Sequence, residues 1–254
     1  MSKLITLGCS FSQGSGCYDI ELYKSYNLNN IYLFPVEYHN KAKKLCLENS
    51  IGKHIQDEFG FEEYYNYAHG GSSNQTQVLK FFNNLPEGDD NTILWQITYY
   101  DRKSMFKNNS FDDAHWGTDN WVNSYYLELS SKLGNNLNEI QTSEMIELKL
   151  YMNIMYEFCK IRGWNFYVWF FKDNECDKFI KQFPESKKYV IPFENINTDE
   201  MESYKDITGD NHPNQFEYRR ISKRLIKKIQ LTYPTFPNPN EIPKKWYWIN
   251  KDIK

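Results

Sequence analysis

The sequence predicts an α/β protein whose parallel sheet is covered by helices on both faces. Three observations carry that prediction. Short apolar runs alternate with helical stretches along the 254 residues, the pattern that sets strands side by side and parallel. The run TILWQIT, Thr92 to Thr98, is apolar at nearly every position, as a strand covered on both faces must be. The first two strands each run into a cluster of small polar residues, GCSFSQG and HGGSSN, of the kind that open helices or hold ligands at a sheet edge.

The elements follow in order. Leu4 to Leu7 reads as a buried first strand. Tyr18 to Leu47 has no clear period and reads as an irregular insertion. In NSIGKHIQDEFG, Ile51, Ile55 and Phe59 recur every four residues between a cap at Asn49 or Ser50 and Gly60, which makes an amphipathic helix. Tyr64 to Ala68 is a second strand, and a helix opens behind Ser72 or Ser73. After the third strand, Asp101 to Gln141 is long, aromatic and weakly periodic; a loop of that length is usually functional, here a lid-like insertion. From Ser143 to about Arg162, Met145, Leu148, Met152, Met155 and Cys159 form one helical stripe, the spacing of a buried face rather than of a haem-ligating methionine box. NFYVWFF and YVIPF are two further strands, PNQFEYRRISKRLIKKI is the last helix, and the Pro-rich tail from Leu231 reads as a strap along the surface. No internal repeat or linker divides the chain, which reads as one domain over 1–254.

Composition excludes several classes. The formal net charge of −3 supplies no general attraction to nucleic acid or anionic membrane. Arg219, Arg220, Lys223, Arg224, Lys227 and Lys228 read as a solvated helix face. Five scattered cysteines without a CxxC pair signal neither a disulfide framework nor a zinc ribbon. There is no apolar run of the ~20 residues a membrane span needs and no leader pattern at the start. The expectation is a soluble, cytoplasmic protein.

The chemistry gathers at the ends of strands. GCSFSQGSG has neither the Gly-Lys-Ser/Thr of a phosphate loop nor the GxGxxG register of a dinucleotide turn. A serine on a tight strand-to-helix turn, Ser10, is instead placed as nucleophile elbows place theirs, although the same turn would suit a helix cap. Serine needs a base, usually a histidine oriented by a carboxylate, and Asp210-Asn211-His212-Pro213 offers one, with Pro213 suited to the first turn of the last helix. Cys9 faces packing. His39, His54, His69 and His115 lack a partner pattern, and no two ligands stand at i, i+4 to make a metal site with His69, Asp210 and His212.

GCSFSQG, NYAHGGSSN and DNHPN, in this order and at these distances, resemble the SGNH (GDSL-type) hydrolases, and most of all the intracellular branch whose first block reads Gly-Cys-Ser-Phe. The resemblance covers about Leu4 to Ile229 outside the two insertions. It implies a three-layer, flavodoxin-like sheet in the order 2-1-3-4-5, with Ser10 as nucleophile and His212 as base. It implies Asp210 as the orienting acid, with Asp206 as the second candidate, and an oxyanion hole from the N–H groups of Ser10 and Gly71. No cofactor or metal is implied. The third block departs from the family pattern: Thr98-Tyr99-Tyr100-Asp101 stands where Gly-x-Asn-Asp is expected, so Tyr100 occupies the position of the third oxyanion donor. Either Tyr100 supplies its hydroxyl or Asn74 reaches in from the neighbouring turn. Asn74 is favoured, because a tyrosine would carry its hydroxyl several ångströms further out.

The function expected is a serine esterase or acyl hydrolase acting on a small-molecule or glycan ester. Trp116, Trp121, Tyr125 and Tyr126 in the insertion are suited to stacking on a sugar ring, which makes an O-acyl carbohydrate the preferred substrate. Two rivals share the fold: a non-catalytic binding protein, marked by the missing asparagine, and an acyltransferase using the same serine.

Overall fold

In the computed structural model of the protein the described residues are 2–25, 35–70, 72–98, 102–107, 110–115, 137–171, 173–193, 202–203 and 212–237. They form β1 (Lys3–Leu7), α1 (Ser10–Gln13), α2 (Ile20–Ser25), α3 (Val36–Glu48), α4 (Ile51–Phe59), β2 (Glu63–Asn66), α5 (Asn74–Asn83) and β3 (Asn91–Ile97). Then come β4 (Arg102–Lys107), β5 (Ser110–His115), α6 (Leu137–Ile161), β6 (Asn165–Phe170), α7 (Asp173–Gln182), β7 (Val190–Ile191) and α8 (Gln215–Thr232).

Five strands make one sheet in the order β2-β1-β3-β6-β7, every pair parallel. Counted along the chain this is 2-1-3-4-5, the order that the family resemblance implies. Alternate residues of each strand feed opposite faces. Ile5, Ile93, Trp95, Phe166 and Val168 pack with α5, α6 and α7, including the whole stripe Met145, Leu148, Met152, Met155 and Cys159. Leu4, Leu94, Tyr167 and Trp169 pack on the other side with Ile51 and Ile55 of α4 and with Tyr218, Ile221, Leu225 and Ile229 of α8. The central strands β3 and β6 are buried throughout, which explains why neither alternates in sequence.

Four features differ from the expectations. The stretch 18–47 holds two helices, α2 and α3; Tyr38 is the only fully buried residue between them, so there was little apolar period to read. The insertion 101–141 carries an antiparallel pair, β4 with β5, and the first turns of α6, which begins at Leu137 rather than Ser143. Helix α7 supplies the crossover that a parallel β6–β7 connection requires. The last helix starts at Gln215, because Asn214 takes the cap and Pro213 forms a bridge with Ser203. Leu231 and Thr232 still belong to that helix, and beyond them the chain is described to Pro237, with Phe236 packed on Phe59 and Tyr167.

Candidate active site

The carboxyl edge of the sheet is built around the turn that follows β1. Ser10 is the first residue of α1, and the position before it belongs to Cys9, whose side chain makes no capping bond. Ser10 is therefore not the helix cap. The first turn closes through Gln13 N–H to Cys9 O at 3.0 Å, and Ser15 N–H bonds Ser10 O at 3.0 Å. A helix of four residues has almost no intrinsic stability, and side chains from two strands hold this one. Gln96 Oε1 on β3 accepts from Ser12 N–H at 3.1 Å and from Ser12 Oγ at 2.7 Å, with Cys9 Sγ 3.5 Å away. Asn66 at the end of β2 donates to Ser12 O at 3.3 Å and accepts from Ala68 N–H at 3.1 Å and Thr6 Oγ1 at 3.2 Å. Glycine is required before this turn: a Cβ on Gly8 would lie 2.5 Å from Ser12 Oγ and 2.8 Å from Gln96 Oε1. Behind the turn, burial pushes the Tyr64 phenol up to about 12, so it stays a neutral partner of Thr6 and Ser50, 3.0 Å from each hydroxyl.

The segment after β2 folds back over Ser10. His69 N–H bonds Gly8 O at 3.1 Å, and Ser72 Oγ lies 3.0 Å from the same carbonyl. Gly70 N–H donates to Gln13 Oε1 at 2.8 Å, and a Cβ on Gly70 would sit 3.7 Å from Ser10 Cβ. Helix α5 is capped by Ser73, which accepts from Thr76 N–H at 3.1 Å. Asn74, 7% exposed, uses its amide on the end of β3: Oδ1 accepts from Thr98 N–H at 3.0 Å and Nδ2 donates to Thr98 O at 3.4 Å. One N–H of that amide remains for any other acceptor.

The histidine segment reaches the same edge from the opposite side. Phe11, next to Ser10, has its ring centroid 5.4 Å from that of His212. Gly16, with φ of +97°, lies so close that a Cβ would be 2.7 Å from His212 Cβ and 2.6 Å from Pro213 O; both the backbone angle and the space demand glycine. Asn214 N–H bonds Glu202 O at 2.8 Å, and Asn214 Oδ1 accepts from the N–H groups of Phe216 and Glu217 at 3.0 Å each. Tyr218 ties the two sides together through its hydroxyl, which donates to Ser15 O at 2.8 Å.

Among the expected site residues, Ser10, Asn74 and His212 thus lie along one edge. Gly71, Tyr100, Trp116, Trp121, Tyr125, Tyr126, Asp206 and Asp210 lie outside the described residues. Gln96, Gln13 and the structural part played by Asn66 are absent from the sequence reading. Gln96 had a signal: it interrupts the apolar run Ile93 to Ile97 in the middle of a doubly covered strand. Among the described residues no three His, Cys, Asp or Glu side chains gather as a metal ion would need, and no helix is long and apolar enough to cross a membrane.

No family model matches the chain, and a search of curated proteins found no match. Three solved structures resemble it weakly, each with a TM-score under 0.5. One is a carbohydrate esterase described as having an active site with divergent catalytic and non-catalytic binding functions, at 13% identity and a TM-score of 0.47 over 90% of this chain and 68% of that one. Another is TesA, at 11% identity and a TM-score of 0.42 over 90% of this chain and 98% of that one. A third is a lipolytic protein of the G-D-S-L family from Veillonella parvula, at 12% identity and a TM-score of 0.39 over 89% of this chain and 97% of that one. Identities this low leave the chemistry to be argued from the side chains.

Proposed function

We propose that the protein is a serine esterase or acyl hydrolase of the SGNH type. The observation that carries the reading is Ser10 itself. It sits at the head of a clamped strand-to-helix turn, is not used as a cap, and shares an edge with His212. In this reading Ser10 Oγ attacks the ester carbonyl while His212 takes its proton. The tetrahedral oxyanion is held by the N–H groups of Ser10 and Gly71. His212 then returns the proton to the leaving alcohol, and water repeats the sequence to release the acid. Asp210 orients the imidazole, with Asp206 as the second candidate. The remaining N–H of Asn74 is the favoured third donor and Tyr100 the alternative. A small-molecule or glycan ester is the substrate class, with Trp116 and Trp121 stacking on a sugar.

A fluorophosphonate probe followed by mass spectrometry of the labelled peptide tests this directly. Labelling should fall on Ser10, and short-chain aryl esters should be cleaved by the wild type and not by Ser10→Ala. Equal cleavage by both proteins sinks the proposal. A second reading, a non-catalytic binding protein, draws on the bonds that tie Asn74 Oδ1 and one of its N–H groups to Thr98: if the remaining N–H does not reach the oxyanion, loss of the third donor costs roughly 3 kcal/mol of transition-state stabilisation.

A further inference from the structure

We infer that Gln96 is a positioning residue for Ser10, acting as a remote cap for the nucleophile helix. The inference rests on the reading of Ser10 as nucleophile. The first N–H groups of a helix have no partner within it and are usually satisfied by the side chain at the cap position. In α1 that position is Cys9, which makes no such bond. Gln96 does the work from another strand: its Oε1 takes the N–H and the hydroxyl of Ser12, and Cys9 Sγ lies 3.5 Å away.

Two further facts favour this over an ordinary packing role. Gln96 is 0% exposed, and its Nε2 has no hydrogen-bond partner. Reversing the amide cannot help, because it would set an NH2 group against the Ser12 N–H. An unpaired buried donor is costly, and an apolar residue would avoid it on a strand that is otherwise packed. What the glutamine supplies in return is one acceptor shared by both donors of Ser12. The crowding of Gly8 against Ser12 and Gln96 leaves that acceptor no slack. With the cap placed across the sheet, the start of the helix needs no capping hydroxyl of its own, and Ser10 is left for chemistry.

The test measures the rate of fluorophosphonate labelling of Ser10 and hydrogen exchange across Cys9 to Gly14, both well below the unfolding temperature. Gln96→Met, similar in shape but without the acceptor, should label about 10- to 100-fold more slowly and exchange faster in that segment. Ser12→Ala, which loses one of the two donors, should show a smaller fall. The double variant should be no slower than Gln96→Met, since both changes remove one interaction. Asn165→Ala, which removes a buried bond to Thr92 Oγ1 at the opposite, amino end of β3 and β6, controls for stability: it should unfold at a lower temperature and label at the wild-type rate. Unchanged labelling in Gln96→Met overturns the inference. Should that variant fail to fold, unchanged labelling in Ser12→Ala overturns it instead. If the wild type itself does not label, the hydrolase reading fails, and exchange alone decides. Faster exchange confined to Cys9–Gly14 in Gln96→Met then upholds Gln96 as the cap of this turn, and unchanged exchange rejects it.

Discussion

The two sides of the candidate site are held by different means. On the serine side, side chains distant in sequence do the holding: Gln96 and Asn66 clamp Ser12, Gln13 clamps Gly70, and Asn74 clamps Thr98. Around His212 itself the links are shorter-range or main-chain: Asn214 caps the helix that follows it, its N–H bonds Glu202, and Pro213 bridges to Ser203, while the long side-chain bond from Tyr218 to Ser15 O starts further into α8. A network of buried and half-buried amides fixes several backbone segments relative to one another at once. A cap fixes one helix end. The nucleophile side is thus preorganised by several strands at once, and the base side by the bonds to Ser203 and Glu202 and the first turn of α8.

The largest expected effect sharpens the histidine side. Asp210→Asn should lower turnover by about 10⁴ with the fold intact, as expected for an acid that sets the imidazole tautomer. Asp206→Asn should leave turnover near the wild-type value. A larger loss from Asp206→Asn would move the orienting role to that residue.

Asn74 tests whether a clamp on the serine side also does chemistry. Asn74→Asp keeps the acceptor for Thr98 N–H and removes every N–H donor. Turnover should fall by about 10² or more, with Ser10 still labelled by the probe. Full activity in this variant would leave Asn74 as a strut between α5 and β3.

Stability separates the two kinds of support. Asn66→Ala strips its partner from Ser12 O and Ala68 N–H, while Thr6 Oγ1 keeps Tyr64, and unpaired buried groups cost about 1–3 kcal/mol each. A loss of about 3 kcal/mol in denaturant unfolding is expected. Asn214→Ala removes a local cap and should cost about 1 kcal/mol. Equal losses would erase the distinction between network and cap.

The same distinction explains what was legible in the sequence. Ser50 and Ser73 announce their helices because each bonds an N–H three residues on, within the reach of a local pattern. The stripe of α6 and the uninterrupted apolar run of β3 are equally local. The bond from Ser12 to Gln96 spans 84 residues, so neither partner signals the other, although a glutamine inside TILWQIT was an anomaly that could have been followed. Helix α3 escaped because it buries only Tyr38. The β4–β5 pair escaped because the sequence between its strands, Asn108-Asn109, lacks the glycine that marks a tight hairpin. Pro213 suggested a helix start two residues too early, since its neighbour Asn214 is the stronger cap.

The smallest expected effect lies behind the histidine side, where α8 meets α4. His54 on α4 faces a groove of about 300 Å³ lined also by Asp57, Glu58, Arg219, Ser222 and Lys223. Its Nε2 is buried and has no hydrogen-bond partner. Burial, and then the positive charge of Arg219, hold its pKa below the ordinary histidine value, with Lys53 and Lys223 acting in the same sense and Asp57 against them. The folded protein therefore binds a proton here less readily than the unfolded chain does. The sign follows from linkage: stability is greatest above the unfolded value of about 6.5 and declines as pH falls through it, until the folded-state pKa is passed. His54→Gln has no proton to gain, so its unfolding temperature should vary less than the wild type's between about pH 7 and 5. Probe labelling of Ser10 at neutral pH should be unchanged, because the local bonds of Asn214, and not the α4–α8 groove, hold the histidine segment. A slower labelling rate in His54→Gln would show that the helix packing behind the base side reaches the site, and would bring the two sides closer in kind.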